Sequence, residues 1–205
     1  MSSGDPIPYA EALPVAEQLR DLLAPDCERV VIAGSLRRRK ALVSDIELVA
    51  EARYREEASG LWGDAVRVDV LAERVDVLRE SGVLSARPVM LHRADGSEEL
   101  QTRDGPAYKA LTFRGLPVDL FVVDPSRSDF GVILTIRTGP ADFSRELVTR
   151  CRAWGRRVQG GRLYAHGQYV PCPDERTFLA AVGMPWLEPE ERAPERVKLM
   201  MAGSP

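Results

Sequence analysis

The sequence predicts an α+β protein in two parts, a mixed sheet with flanking helices up to residue 124 and a smaller α/β unit over 125–205. Three observations carry this. Residues 12–23 place Val15, Leu19 and Leu22 at helical spacing just before a short β-branched run. Two turn signals, Asp95-Gly96 and Arg114-Gly115, are each flanked by strand-like segments. The composition then shifts at Asp124-Pro125-Ser126, which reads as a hinge.

In chain order, the first helix stops near Pro25, and Arg29 to Ala33 (RVVIA) forms a strand ending at Gly34-Ser35. SLRRRK after it supplies a first helical turn. Asp45 to Ala50 (DIELVA) alternates, placing Ile46 and Leu48 on one strand face and Asp45 and Glu47 on the other. Residues 51–81 are helical around Val68 to Leu78, although the valines also permit a strand. Val89 to Arg93 pairs with Glu98 to Thr102, and Tyr108 to Phe113 with Pro117 to Val123 (PVDLFVV), which carries Asp119. Beyond the hinge, Thr138-Gly139-Pro140 opens a helix with Phe143, Leu147, Cys151 and Trp154 on its apolar face, ending at Gly155. His166 falls in a hairpin, Asp174 to Gly183 forms a capped helix, and MPWLEPEER is a proline-bounded finishing segment.

Composition narrows the function. The 205 residues are 44% hydrophobic and 29% charged, enough for a folded core. The start lacks a secretory signal, and no run approaches the ~18 apolar residues of a membrane span, so a cytoplasmic protein without membrane attachment is expected. Cys27, Cys151 and Cys172 are scattered, as are His92 and His166, which leaves neither a disulfide framework nor zinc-ligand spacing. The net charge of −3 is unfavourable for a DNA-binding protein, but Arg137 to Arg162 holds seven arginines against Asp142 and Glu146. A second basic knot is Arg37, Arg38, Arg39 and Lys40.

Chemistry concentrates in AGSLRRRKALVSDIELVA. Gly34 lets the backbone approach a triphosphate, Ser35 and neighbouring amides donate to its oxygens, and an arginine a few positions on neutralises it. Asp45 and Glu47, on one strand face, can share divalent metals, and Asp119 would complete the carboxylate set from a neighbouring strand. An acidic pair on a strand is more often a solvated face, but an aspartate within PVDLFVV sits where an unpaired carboxylate is expensive.

These residues resemble the nucleotidyltransferase superfamily, and more narrowly the DNA polymerase X (beta-like) family, particularly its small viral members with only a palm and a C-terminal domain. Gly34-Ser35-Leu36-Arg37-Arg38 matches G-S-x-R-R, and Asp119 lies in a V-D-L-F strand. Thr138-Gly139-Pro140 with Phe143 resembles T-G-x-x-x-F, and FLAAVGMPWLEPEER is similar to the family's F-x-x-L-G-L-P-Y-x-x-P-x-x-R ending. The resemblance implies a nucleotidyltransferase palm at 1–124 and a thumb-like domain at 125–205. Asp45, Glu47 and Asp119 would be catalytic ligands of two magnesium or manganese ions, with Gly34, Ser35, Arg38, Arg137, Thr138 and Gly139 at the nucleoside triphosphate. No segment before residue 12 could supply an extra DNA-gripping domain, so DNA would be held by Arg37, Arg39, Lys40, Arg145, Arg152 and Arg156 of a monomer.

Two positions depart from the family. Glu47 stands where polymerases have aspartate, although Ser44 to Glu47 (SDIE) also resembles aminoglycoside nucleotidyltransferases. Arg137 stands where an aromatic residue usually screens the sugar. Three functions follow: a gap-filling or primed DNA polymerase, a nucleotidyltransferase acting on an RNA end, small molecule or protein, and an inactive nucleic-acid-binding relative.

Overall fold

The computed structural model describes residues 6–58, 65–92 and 95–202. The first helix, α1 (Tyr9–Leu23), delivers the chain into β1 (Cys27–Ile32). A single helical turn, α2 (Gly34–Arg37), leads to β2 (Ile46–Ala52). Strands β3 (Tyr54–Ala58) and β4 (Ala65–Asp69) form a separate hairpin. Helix α3 (Val70–Glu80) follows, capped by the Asp69 carboxylate accepting from the Ala72 amide. Val68 therefore lies in a strand, and the helix expected around 68–78 begins only at Val70.

Strand β5 (Leu84–Ala86) precedes a second projecting hairpin, β6 (Pro88–His92) with β7 (Glu98–Thr102), as the Asp95-Gly96 signal predicts. Arg93, placed in that strand from sequence, lies outside the described residues. The hairpin expected about Arg114-Gly115 is β8 (Tyr108–Phe113) with β9 (Leu116–Val123).

The central sheet runs β8-β9-β2-β1, with β5 and the two-residue strand Asp104–Gly105 on the outer edge of β8. Its β2–β9 pair is parallel and the other ladders are antiparallel, so the sheet is mixed. One face packs Ile46, Leu48, Val118 and Leu120 against Leu19 and Leu23 of α1 and Leu71 and Val75 of α3. The other carries Val49, Phe121 and Val123 against Phe130 and Leu134 of α4 (Phe130–Thr138), a helix not foreseen in the sequence.

Pro125–Arg127 form one 3-10 turn before α4. Helix α5 (Ala141–Ala153) follows a cis Gly139–Pro140 peptide. A three-stranded antiparallel sheet comes next, β10 (Arg156–Gln159), β11 (Arg162–Ala165) and β12 (Gln168–Val170), with His166 at its second turn. Helix α6 (Glu175–Ala181) is capped by Asp174, whose side chain accepts from the Thr177 amide. The finishing segment ends in a further helix, α7 (Pro194–Ala202). Phe143, Leu147, Cys151, Leu163, Phe178 and Leu179 form this part's core, to which α4 adds Val132. Helix α4 thus supplies side chains to two cores at once. Trp154 is only half-buried, held between the guanidiniums of Arg150 and Arg156 at 4.0 and 5.8 Å from its ring centre.

Candidate active site

The parallel β2–β9 register sets Glu47 directly beside Asp119. Strand alternation turns both toward the α4 side of the sheet, away from Ile46 and Leu48, which are fully buried on the other side. Asp45 lies just before β2. Neither the Asp45 nor the Glu47 carboxylate has a hydrogen-bond or ion-pair partner among the described residues, and their environment disfavours their charge. Burial, then the neighbouring Asp45 and Asp119 charges, push the Glu47 carboxyl up to about 8, against the pull of Arg137 and Arg38. Burial and Asp119 likewise raise Asp45 above the ordinary carboxylate range, with Arg87 opposing them.

Gly34 closes one wall. Its φ is +63°, and the Glu47 carboxylate folds against its bare Cα. The same turn aims Arg38 at the end of α4, where its guanidinium donates to the Thr138 carbonyl oxygen. A Cβ on Gly139 would meet Arg38 Nη1 at 3.2 Å. Burial lowers the Arg38 pKa, against the opposing pull of the Glu47 and Asp142 charges. Arg137, one residue earlier, lays its guanidinium 3.9 Å over the Phe121 ring. Gly34, Arg38, Arg137, Thr138 and Gly139, read separately from sequence, thus converge beside Glu47, with Ser35 in the same turn as Gly34.

The basic residues divide. Arg37 is committed internally, donating to Thr138 Oγ1 at 2.8 Å and to Glu175 Oε2 at 2.5 Å. Arg39 is largely exposed and meets Glu190 at 3.0 Å. Lys40, Arg145 and Arg152 are exposed without an ion-pair partner among the described residues, while Arg156 is half-buried on Trp154. Arg150, counted in the basic segment, is 1% exposed; it stacks on Trp154 and donates to the Val197 carbonyl, so it contributes packing rather than surface charge.

Sequence reasoning missed two residues at the site. Arg87 donates to Asp119 Oδ1, and Tyr108 Oη donates to the same oxygen at 2.9 Å. Tyr108 shares its strand face with Ala110, the register partner of Asp119, so parity would have revealed it once the pairing was known. Arg87 precedes the projecting hairpin and carries no local signal. Sequence also left unnoticed Glu175, which ties Arg37 to the fully buried Arg192 at 2.8 Å.

An all-oxygen carboxylate set suits magnesium or manganese. Half-buried carboxylates without an ion-pair partner among the described residues, as at Asp45 and Glu47, favour such an ion. Among the described residues, however, no three acidic, histidine or cysteine side chains approach closely enough to hold one ion together. Of the three carboxylates, Asp119 is the one engaged by other side chains, Arg87 and Tyr108.

Comparison with known proteins bears on this architecture. No curated protein matches the chain in sequence. Residues 133–193 match the DNA polymerase beta thumb family. In fold, the chain is similar to Leishmania infantum polymerase beta, solved as a ternary P/T complex, with a TM-score of 0.64 at 18% identity, over 93% of this chain and 78% of that one. No described helix is long and apolar enough to cross a membrane. From its central sheet to its C-terminal helices the chain thus has a fold similar to that of a polymerase beta, with the match to the DNA polymerase beta thumb family lying in its C-terminal part.

Proposed function

We propose that this protein is a metal-dependent nucleotidyltransferase, a minimal DNA polymerase of the X-family type adding nucleotides to a 3′-hydroxyl of gapped or primed DNA. The observation that carries the reading is the convergence of Asp45, Glu47 and Asp119 with Arg38, Thr138 and Gly139 at one end of the mixed sheet, within a polymerase beta fold. Residues 1–124 act as the palm and 125–205 as the thumb.

Asp45 and Glu47, joined by Asp119, hold two magnesium or manganese ions, which when bound supply Lewis-acid activation of the attacking hydroxyl and charge neutralisation on the phosphates. In the reaction the 3′-oxygen forms a bond to the α-phosphorus of the nucleoside triphosphate, the bond to the bridging α–β oxygen breaks, and pyrophosphate leaves. Ser35 and Arg38 bind the β and γ phosphates as fixed donors and stabilise the charge accumulating on the leaving group. Thr138 and Gly139 line the sugar and base, and Arg137 adds positive charge beside Glu47. The exposed cations Arg39, Lys40, Arg145 and Arg152, together with Arg156, hold the DNA of a monomeric enzyme. Arg37 instead positions α2 through Thr138 and Glu175.

The test is incorporation of labelled deoxy- and ribonucleotides by the purified protein on gapped DNA, on primer-template and without DNA, in magnesium and in manganese. Templated extension that disappears in Asp45→Asn and Asp119→Asn is expected, and turnover retained in either variant would sink the assignment. Glu47 and the net charge of −3 favour a second reading, transfer to an RNA end, small molecule or protein. Triphosphate binding without extension of any DNA would support it.

A further inference from the structure

Asp119 is the only one of the three carboxylates with side-chain partners among the described residues, and both partners take the same oxygen. The Arg87 amide donates to the Ala110 carbonyl at 2.9 Å and its Nε to the Leu111 carbonyl at 3.3 Å, so the guanidinium is fixed to β8. From there Nη2 reaches Asp119 Oδ1. Tyr108 is fixed by stacking on Phe121, with ring centres 5.1 Å apart, and its hydroxyl completes the clamp. The Arg87 and Asp119 side chains are 13% and 20% exposed, so water screens their attraction only in part.

We propose that Arg87 is a positioning residue that competes with the divalent cation for Asp119, so that the third carboxylate joins Asp45 and Glu47 only when the guanidinium releases Oδ1. The proposal rests on the metal-site reading above. It accounts for two facts together: among the described residues the Asp45 and Glu47 carboxylates have no ion-pair partner, and the three carboxylates nevertheless do not close on one point. Two donors spend the charge of the oxygen they share. A divalent ion brought to that oxygen would also face the guanidinium at hydrogen-bond range, and like charges at such distance repel strongly where water is sparse. Arg87 thus stabilises the protein in the absence of cation and opposes its binding.

The test is manganese binding to the metal-stripped full chain, followed by the electron paramagnetic resonance signal of free Mn²⁺, a readout independent of turnover. Arg87→Gln should tighten binding about five- to tenfold, the direction set by removal of one nearby positive charge. Arg87→Lys should restore binding to about the native affinity, because charge at this position is what matters. The gain should vanish when Arg87→Gln is placed in an Asp119→Asn background. Manganese binding no tighter in Arg87→Gln than in the native chain, or a gain that persists without Asp119, would overturn the proposal. Should Arg87→Gln fail to fold, Tyr108→Phe removes the second donor, and tightening that is absent there overturns it equally. Failure of the metal site itself has a separate signature: Asp45→Asn would then bind manganese as tightly as the native chain.

Discussion

A Cβ built on Gly34 would stand 1.9 Å from Oε2 of Glu47, inside the van der Waals envelope of the carboxylate. The glycine is therefore required twice, for its φ of +63° and for the space its missing side chain leaves to Glu47. Gly34→Ala should displace Glu47, lower nucleotide transfer by at least about tenfold and destabilise the fold by about 1–3 kcal/mol. Parallel measurement of turnover and urea unfolding checks both. An alanine variant with native turnover would show that the Glu47 placement has no bearing on the chemistry.

Glu47 makes stability depend on pH. Because its carboxyl is pushed up to about 8 in the folded chain, the folded state keeps a proton there that the unfolded chain has already lost above the ordinary carboxylate range. The folded state then binds more protons across that window, so stability falls as pH rises from the ordinary carboxylate pKa toward 8. Glu47→Gln removes the titration at nearly constant shape. Relative to the native chain it should gain about 1–2 kcal/mol at pH 8 and little at pH 4, while losing transfer activity. Thermal unfolding of both proteins at the two pH values measures this, and an equal difference at each would refute the assignment.

The split between what was legible and what was not follows from how each element is packed. Glu47 could be assigned a face because β2 is a strand with Ile46 and Leu48 in a core opposite, a local pattern, whereas Asp45, also read as part of that strand, lies just before it. The Asp95-Gly96 and Arg114-Gly115 hairpins were equally local. Helix α4 was hidden because it packs against the sheet through Phe130 and Leu134 and against the C-terminal core through Val132 and Ile136. A helix covered on two sides has no polar stripe to reveal its period. Arg87 and Glu175 were invisible for another reason: their partners lie 32 residues away at Asp119 and 138 residues away at Arg37, and no local spacing encodes such pairings.

Glu175 ties the α2 turn to the C-terminal segment. It is 5% exposed and accepts from Arg37 on one oxygen and from Arg192 on the other, and these charges hold its carboxyl below the usual range despite burial. Glu175→Ala would leave the fully buried Arg192 guanidinium without its counter-charge, a change that costs about 3–5 kcal/mol. Denaturant unfolding should show this loss. It should also show little recovery on adding Arg37→Ala, because the partly exposed Arg37 can reach water while Arg192 cannot. Full recovery on removing Arg37 would place the stranded charge at the wrong arginine.

DNA binding should distinguish the surface arginines from the structural one in the same helix. Arg145 and Arg152 are exposed on α5, whereas Arg150 is 1% exposed against Trp154. If the exposed pair neutralises backbone phosphates, each releases about one counterion on binding, and log affinity falls with log salt by a slope of about 0.9 per phosphate. Arg145→Ala and Arg152→Ala should each flatten that slope by about 1 while leaving the unfolding midpoint unchanged. Arg150→Ala should do the reverse. It keeps the native salt slope wherever the chain is folded, but it loses about 2–4 kcal/mol of stability through the missing aliphatic packing, the lost stack on Trp154 and the unmet Val197 carbonyl. Fluorescence anisotropy on a gapped duplex across a salt series, alongside thermal melts, separates the two effects. A flattened slope in Arg150→Ala, or none in the other two, would move the DNA path off α5.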